Sequence, residues 1–303
     1  MPYRPTLRQL EYIVALDDLK HFGRAAKRCH VSQPTLSVQV SLVEKSLGVT
    51  LFERTPTSVS TTPIGDEFAR GARLALSTVD DMVEGVVKDL KTLGGLIRLG
   101  TAPTFGPYFL PRFLPAVHRK YATLKIYIRE DRPSDIEMAV LEGSLDCGLG
   151  PQPERSNLMF RRIGTEKLYL GVPSDHALAQ NDTVTTRELK GVKLLALGSG
   201  HRLLENVRHL AEVARAEVID DYEGTSLDSI RQMISIGMGC SLFPELYARG
   251  EFRKDDDVKL LTITDWSERR DVGFYWRENS GRQAHYGKLA AESDRASEEL
   301  GIA

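Results

Sequence analysis

The chain has 303 residues, is 41% hydrophobic and 27% charged, and carries a net charge of −2. That is ordinary globular composition with room for two or three domains, and it excludes a chain that binds nucleic acid along its whole length. Residues 1–62 hold eight Lys/Arg against five acids, leaving 32 basic and 37 acidic residues elsewhere, so a +3 head precedes a −5 body. A basic head on an acidic body fits a DNA-binding module attached to something else.

Three cysteines, Cys29, Cys147 and Cys240, are widely spaced and odd in number. No CxxC pair or Cys/His cluster points to a metal, so reduced buried thiols and no cofactor are expected. The N-terminal segment lacks the apolar core of a signal peptide, and no run of about 18 apolar residues predicts a membrane span. A cytoplasmic protein is the expectation.

Thr6 is a candidate N-cap for a first helix carrying Leu7, Leu10, Ile13, Val14 and Leu16. Phe22 to Cys29 reads as a short helix with small Ala25 and Ala26 for close packing. His30-Val31-Ser32 forms a turn, with Ser32 as N-cap and Pro34 just inside the next helix. Leu36, Val40, Val43 and Leu47 then make one buried stripe, and Gly48 stops it. Pro34, Ser37, Val38, Ser41 and Lys45 fall on or beside the opposite face. Spacing alone fits a major-groove reader and a plain two-helix hairpin equally well. Val49 to Arg54 and then Thr55 to Thr62 read as two short β-prone pieces around a polar turn; they predict a wing.

From Pro63 to Leu93 the residues Ile64, Phe68, Ala72, Ala75, Val79, Met82, Val86, Leu90 and Leu93 step by threes and fours. This predicts one long helix, capped by Thr62, whose stripe is too long for a small head and pairs with a second copy. Strands and helices alternate afterwards. Strands are predicted at 96–100, 125–130, 145–150, 167–173, 193–197, 218–222, 239–244 and 272–276. Helices are predicted at 109–121, 134–142, 203–216, 226–236 and 283–300. The fold class is α/β, in two similar halves hinged near 165 and 268, with a cleft between them.

The motif Phe22-x-x-Ala25-Ala26, Val31-Ser32-Gln33-Pro34-Thr35-Leu36-Ser37, Leu42-x-Glu44-x-x-Leu47-Gly48, Leu51-Phe52-x-Arg54 and Thr62-x-x-Gly65 resembles the head of LysR-type transcriptional regulators. The rest of the chain is similar to that family's linker helix and periplasmic-binding-protein-like effector domain. The resemblance implies an N-terminal winged helix-turn-helix at 1–62, a long linker (dimerisation) helix at 63–93 and a two-subdomain effector domain at 94–303. Subdomain I would comprise 94–165 and 268–303, and subdomain II 166–267. It also implies double-stranded DNA with an imperfect palindrome as partner, a homodimer through the linker helix assembling to a homotetramer, a small-molecule effector, and RNA polymerase as a further partner.

Within that family the effector half is similar to the peroxide-sensing OxyR subgroup, through Gly100 to Pro111, Leu145-Asp146-Cys147, Gly200-His201 with Leu203, and Thr225-Ser226-Leu227. The subgroup's reactive cysteine directly follows the Gly-His pair, where this chain has Arg202. The resolving cysteine falls at Ala211, and a peroxide-binding threonine falls at Pro133. Peroxide chemistry needs a thiolate in the pocket, so disulfide-based sensing is not expected.

The DNA-binding candidates are Arg24, Ser32, Gln33, Pro34, Thr35, Ser37, Arg54 and Thr62. Gln33 can pair bidentately with adenine, and Pro34 and the Thr35 methyl can meet a thymine methyl. Arg54 and Thr62 are phosphate candidates, while Lys27 and Arg28 share a helix with Arg24. With Thr57 and Ser58 at the wing tip, fewer phosphate contacts are expected than from a basic wing. The effector candidates are Thr101, Pro103, Thr104, Phe105, Ser199, Gly200, His201, Arg202 and Thr225. Two of their loops open helices, whose N-termini favour anions, and Arg202 adds a cationic fork. A small anion, an organic carboxylate, is therefore the expected effector. The competing reading pairs Arg202 with Glu205 or Asp228.

An enzyme is disfavoured. Leu197-Gly198-Ser199-Gly200-His201 lacks the G-x-S-x-G spacing, His201 and His209 form no HExxH, and no phosphate or dinucleotide fingerprint occurs. A solute-binding protein would explain the body but not the head. A third reading is an oxidant sensor acting through Cys240, Met233 or Met238 without the disulfide.

Overall fold

A computed structural model describes residues 3–303 except 56–57, 88–92 and 254–256, with the backbone alone at 81, 84–87, 220, 221 and 223. Residues up to 89 and most of the remainder form two separate compact units.

In the first unit, α1 (Leu7–Leu19) begins in a capping box. The Gln9 N–H donates to the Thr6 hydroxyl at 3.2 Å, and the Thr6 N–H donates to the Gln9 side chain at 2.9 Å. Each satisfies a donor that the first helical turn leaves open. Next come α2 (Phe22–Arg28) and α3 (Gln33–Leu47). Ser32 caps α3 by accepting the Thr35 N–H at 3.2 Å, and Gly48 ends it at φ 71°. Ile13, Leu16, Ala25, Ala26, Leu36, Val40 and Val43 close one core. The wing is the antiparallel pair β1 (Phe52–Arg54) and β2 (Val59–Thr61), with Phe52 opposite Thr61. Thr57 lies outside the described residues.

Helix α4 (Pro63–Val87) starts against this wing. The Thr62 hydroxyl donates to the Thr50 carbonyl at 2.8 Å and accepts the Gly65 N–H at 3.0 Å. A Cβ at Gly65 would strike the Leu51 carbonyl, which gives the Thr62-x-x-Gly65 spacing its physical reason. The helix does bury part of its stripe in its own head: Ala69 and Ala72 are buried, and Ala69 and Phe68 join the core. Leu74, Met82 and Val83 remain exposed. Of the other predicted stripe residues, Leu90 and the Val86 side chain lie outside the described residues. Leu93 packs into the core of the second unit rather than continuing the stripe.

The second unit opens with β3 (Gly95–Thr101), α5 (Gly106–Lys120), β4 (Leu124–Glu130), α6 (Pro133–Leu141) and β5 (Cys147–Pro151). A long β6 (Leu158–Pro173) leads to β7 (Thr183–Val184), β8 (Lys193–Leu197), α7 (Arg202–Ala214), β9 (Glu217–Gly224) and α8 (Leu227–Ser235). The chain continues with β10 (Ser241–Pro244), α9 (Glu245–Glu251), β11 (Val258–Ile263), β12 (Arg269–Arg277), α10 (Gln283–Ala291) and α11 (Asp294–Leu300). One sheet runs in the order β4-β3-β5-β12-β6-β11-β7, with β10 also on β6, while β8 and β9 pair separately.

Among its described residues this unit has two hydrophobic cores. One gathers Ile97, Phe109, Phe113, Leu149 and Phe274; the other gathers Leu170, Leu195, Leu210, Ile230 and Phe243. Helix α9 joins them, since Leu246 belongs to the first and Tyr247 to the second. This is the two-lobed α/β architecture expected.

The crossovers expected near 165 and 268 lie where β6, which begins at Leu158, pairs with β12 from Leu158↔Arg277 to Lys167↔Arg269, with a register shift at Val272/Gly273. Two expectations need correction. The predicted closing helix is broken at Glu292-Ser293, where the Ser293 hydroxyl turns back to the Ala290 carbonyl at 2.5 Å. Strand β11 and helix α9 were not anticipated.

Candidate nucleic-acid interface and effector cleft

The N-terminal end of α3 presents Ser32, Gln33, Pro34 and Thr35 to solvent, with Ser37 half-buried. Its opposite face is anchored by Leu36, Val40 and Val43. Val38, 63% exposed, adds an uncovered apolar side chain of the size that meets a thymine methyl. The Ser32 and Thr35 hydroxyls lie 2.7 Å apart.

The basic candidates are already held. Arg54 donates to Glu44 at 2.9 Å and to Ser41 at 3.1 Å, and lies over the Phe22 ring. Glu44 in turn accepts the Leu51 and Phe52 N–H groups at 2.9 and 3.0 Å. Arg54 is thus fixed at the wing base rather than swinging. Arg24 donates to the Leu19 carbonyl at 2.8 Å, and Arg28 pairs with Asp18 at 2.6 Å. The Thr62 hydroxyl is spent on capping α4, which removes it as a side-chain phosphate ligand.

Asp17 ties α1 to the wing and to α4. It takes Lys20 at 2.7 Å, the Thr61 hydroxyl at 2.7 Å, and Arg73. Burial works to raise its carboxyl, but hydrogen bonds from Lys20, Thr61 and Arg73 outweigh that and hold it below the usual range.

In the second unit the two lobes meet at the loops before α6 and α7. The Ser134 N–H donates to the Gly200 carbonyl at 3.2 Å. Gly200 adopts φ 86°, a conformation that favours glycine, and a Cβ there would displace the Ser134 hydroxyl. Beside this contact is a recess of about 540 Å³ lined by Ser134, Glu137, Glu154, Arg155, Ser199, Gly200, His201 and Arg202. Arg202, at the start of α7, crosses to Glu154 of the other lobe. The predicted alternatives, Glu205 and Asp228, are not its partners: Glu205 holds Arg208 at 3.1 Å, and Asp228 holds the Tyr247 hydroxyl at 2.7 Å.

His201 is buried; desolvation, then Arg132, push its imidazole below the usual value against the pull of Asp135. Burial raises the Glu137 carboxyl, opposed by the N–H groups of Glu154 and Arg155.

Of the predicted effector residues, Ser199, Gly200, His201 and Arg202 are brought together. The others are not among the lining residues. Thr101 is fully buried, and its hydroxyl has no hydrogen-bond partner among the described residues. Phe105 is core, stacked on Phe109 at 5.1 Å. Arg270 donates to the Thr104 hydroxyl at 2.8 Å and so takes it up. Pro103 and Thr225 are exposed outside the recess. Sequence reasoning missed Ser134, Glu137, Glu154 and Arg155. Only Glu137 left a trace, as an acid among the apolar positions of a short helix.

A winged helix-turn-helix head and a two-lobed α/β body with a charged recess between its lobes define a DNA-binding regulator rather than an enzyme. Residues 7–66 match the model of the bacterial regulatory helix-turn-helix protein, lysR family, and residues 91–293 match the LysR substrate binding domain. The chain belongs to the LysR family of bacterial transcriptional regulators. It is 35% identical over 285 residues, 94% of this chain and 93% of the relative, to the DNA-binding transcriptional dual regulator OxyR of Escherichia coli K12. A probable hydrogen peroxide-inducible genes activator of Streptomyces viridosporus is 30% identical, covering 99% of this chain and 96% of its own. Among solved structures, a full-length OxyR variant from Pseudomonas aeruginosa superposes with a TM-score of 0.77 at 29% identity, covering 96% of this chain and 98% of that one. A peroxide-bound OxyR mutant of Corynebacterium glutamicum gives 0.66 at 27% identity, covering 100% and 98%.

Proposed function

We propose that this regulator reads an imperfect palindrome with paired copies of α3 and answers to a small organic carboxylate that replaces Glu154 on Arg202. The observation that carries the effector reading is the Arg202–Glu154 bridge between lobes. Its side chains are 33% and 61% exposed, and an exposed ion pair contributes only about 0–1 kcal/mol. Giving up Glu154 therefore costs little. An incoming carboxylate gains a guanidinium fork in a partly enclosed recess. Exchange of an internal acid for a free one changes what links the lobes, which is the differential affinity that coupling requires.

In this reading residues 1–62 are the head and the helix starting at Pro63 is the linker. The effector domain is built from subdomain I (94–165 and 268–303) and subdomain II (166–267). The exposed Leu74, Met82 and Val83 of α4 supply apolar surface for pairing two chains. Dimers associate to a homotetramer, and RNA polymerase is the further partner. Gln33 and Val38 contact bases, while Arg24 and Arg54 position the head on phosphates. The test is mass spectrometry of small molecules released from the purified full-length protein. The wild type should release an acidic metabolite that Arg202→Ala does not retain; equal retention by both overturns the reading.

The names of the relatives favour a second reading, in which an oxidant is the signal without the disulfide pair. Met238 is partly exposed and open to oxidation. Against a thiol route, Cys147 is fully buried, and burial pushes the Cys240 thiol up to about 12. Restoration of DNA binding by methionine sulfoxide reductase after peroxide treatment would support the methionine route. Its absence would oppose that route.

A further inference from the structure

Where β6 and β12 cross between the lobes there is a second recess, of about 980 Å³, reaching from Gln152 to the residues around Ile302. The strand register sets its chemistry. Arg270 lies opposite Glu166, and Arg269 lies opposite Lys167. Successive side chains on a strand point to opposite faces. Glu166 and Arg270 are buried on one face, so Lys167 and Arg269 stand together on the other, where both are exposed.

The recess is lined by six cations: Arg162, Lys167, Arg202, Arg249, Arg269 and Arg270. Four have acids. Arg162 lies 3.6 Å from Asp271, Arg270 lies 2.5 Å from Glu166, Arg249 holds Glu245, and Arg202 holds Glu154. Lys167 and Arg269 have no acidic partner among the described residues. Of the acidic side chains lining the recess, Glu205 is committed to Arg208, Glu245 to Arg249 and the Lys167 N–H, and Asp271 to Arg162 and the Thr165 hydroxyl. Asp294 sits in the first turn of α11, where a helix N-terminus favours an acid. Like charges directly opposite on an antiparallel pair disfavour the sheet. Here they face a recess large enough for a small organic ligand.

We propose that the strand crossing carries a second anion site, centred on Lys167 and Arg269 and adjoining the Arg202–Glu154 recess at Arg202. Its ligand is a small oxyanion with at least two negative charges, a phosphate group or a polycarboxylate. The Arg269 guanidinium provides a planar fork and the Lys167 ammonium a compact charge, a combination suited to such an oxyanion. Because both strands pass from one lobe to the other, an anion shared by them braces the crossing.

The test is equilibrium dialysis of the full-length protein with radiolabelled inorganic phosphate in one arm and citrate in the other, at constant ionic strength set with potassium chloride. One saturable site per chain is expected in at least one arm. Phosphate alone identifies a phosphoryl ligand, citrate alone a polycarboxylate, and both the shared chemistry. The Lys167→Ala/Arg269→Ala double variant should bind at least about tenfold more weakly, while Arg155→Ala, which removes a cation lining only the Arg202–Glu154 recess, should keep wild-type affinity. Thermal midpoints of both variants check folding; relief of the facing charges should leave the double variant no less stable. Saturation in neither arm, undiminished binding by the double variant, or equal loss in Arg155→Ala overturns the proposal. The effector reading stands or falls separately, on the metabolite that Arg202→Ala fails to retain.

Discussion

Arg270→Ala removes the cation from a fully enclosed network at the strand crossing. Side-chain exposure is 4% for Arg270 and zero for Glu166. The guanidinium donates to Glu166 at 2.5 and 3.0 Å, to the Thr104 hydroxyl at 2.8 Å and to the Thr104 carbonyl at 3.3 Å. The other Glu166 oxygen accepts the Leu246 N–H at 3.0 Å, so the pair ties β6, β12, the β3–α5 loop and α9 together. Truncation leaves Glu166 buried with that single amide, at a cost of about 3–5 kcal/mol. With a urea m-value of about 2–3 kcal/mol/M, the midpoint falls by about 1–2.5 M. The chain's two tryptophans, Trp266 and Trp276, are both buried in the effector unit, so their fluorescence in urea follows that unit alone. An apolar replacement of both partners, Arg270→Met with Glu166→Leu, strands no charge and should recover most of the loss. A midpoint shift below about 0.3 M for the single variant, or a double variant as unstable as the single, refutes the reasoning.

Other expectations follow from the same geometry. The Asp17 carboxyl is held below its ordinary value, so its contribution is complete above the unfolded pKa of about 4 and is lost as pH falls through the lower folded value. Asp17→Asn should cost about 1–3 kcal/mol near neutrality and nothing in strong acid, read as the difference in hydrogen exchange protection of α1 and α4 at each pH. His201 is depressed in the folded chain, so stability rises with pH through the window from its folded value up to about 6.5. An NMR titration should place its imidazole below that value, and His201→Gln should flatten that part of the profile. Gln33→Ala should weaken operator binding by about 1–3 kcal/mol and relax preference at one base pair. A loss that is uniform across sequences would instead mark Gln33 as a phosphate contact. The salt dependence of binding should be shallower than that of relatives with a basic wing, because the log–log slope counts neutralised phosphates.

The head was legible because its signals are local. Ser32, Pro34 and Gly48 act on adjacent backbone, and the Leu36, Val40 and Val43 stripe needs only helical periodicity. The full extent of the strands that cross near 165 and 268 was not. Leu158 to Glu166 mixes Arg161 and Arg162 with Phe160 and Ile163 and shows no clean alternation, because different parts of β6 serve different lobes. The candidate recess was half legible. The Ser199 to Arg202 loop was found through its resemblance, but Thr104 was assigned to ligand while the fold gives its hydroxyl to Arg270, 166 residues away. Glu154 as the partner of Arg202 was hidden for the same reason: the contact spans 48 residues and depends on how two lobes face each other. Local acids at helical spacing, such as Glu205, are what a sequence offers first.

The most direct test of the account is a footprint on the operator, without added ligand, of three proteins: wild type, Glu154→Gln and Arg202→Ala. If a carboxylate signals by displacing Glu154, Glu154→Gln should give an altered footprint on its own. It should match the pattern that the wild type reaches only with its co-purified metabolite added back. Arg202→Ala breaks the same bridge, so it should show that altered footprint at unchanged operator affinity and ignore the metabolite. A Glu154→Gln footprint identical to that of the unliganded wild type, together with an Arg202→Ala protein that still responds, would contradict the account.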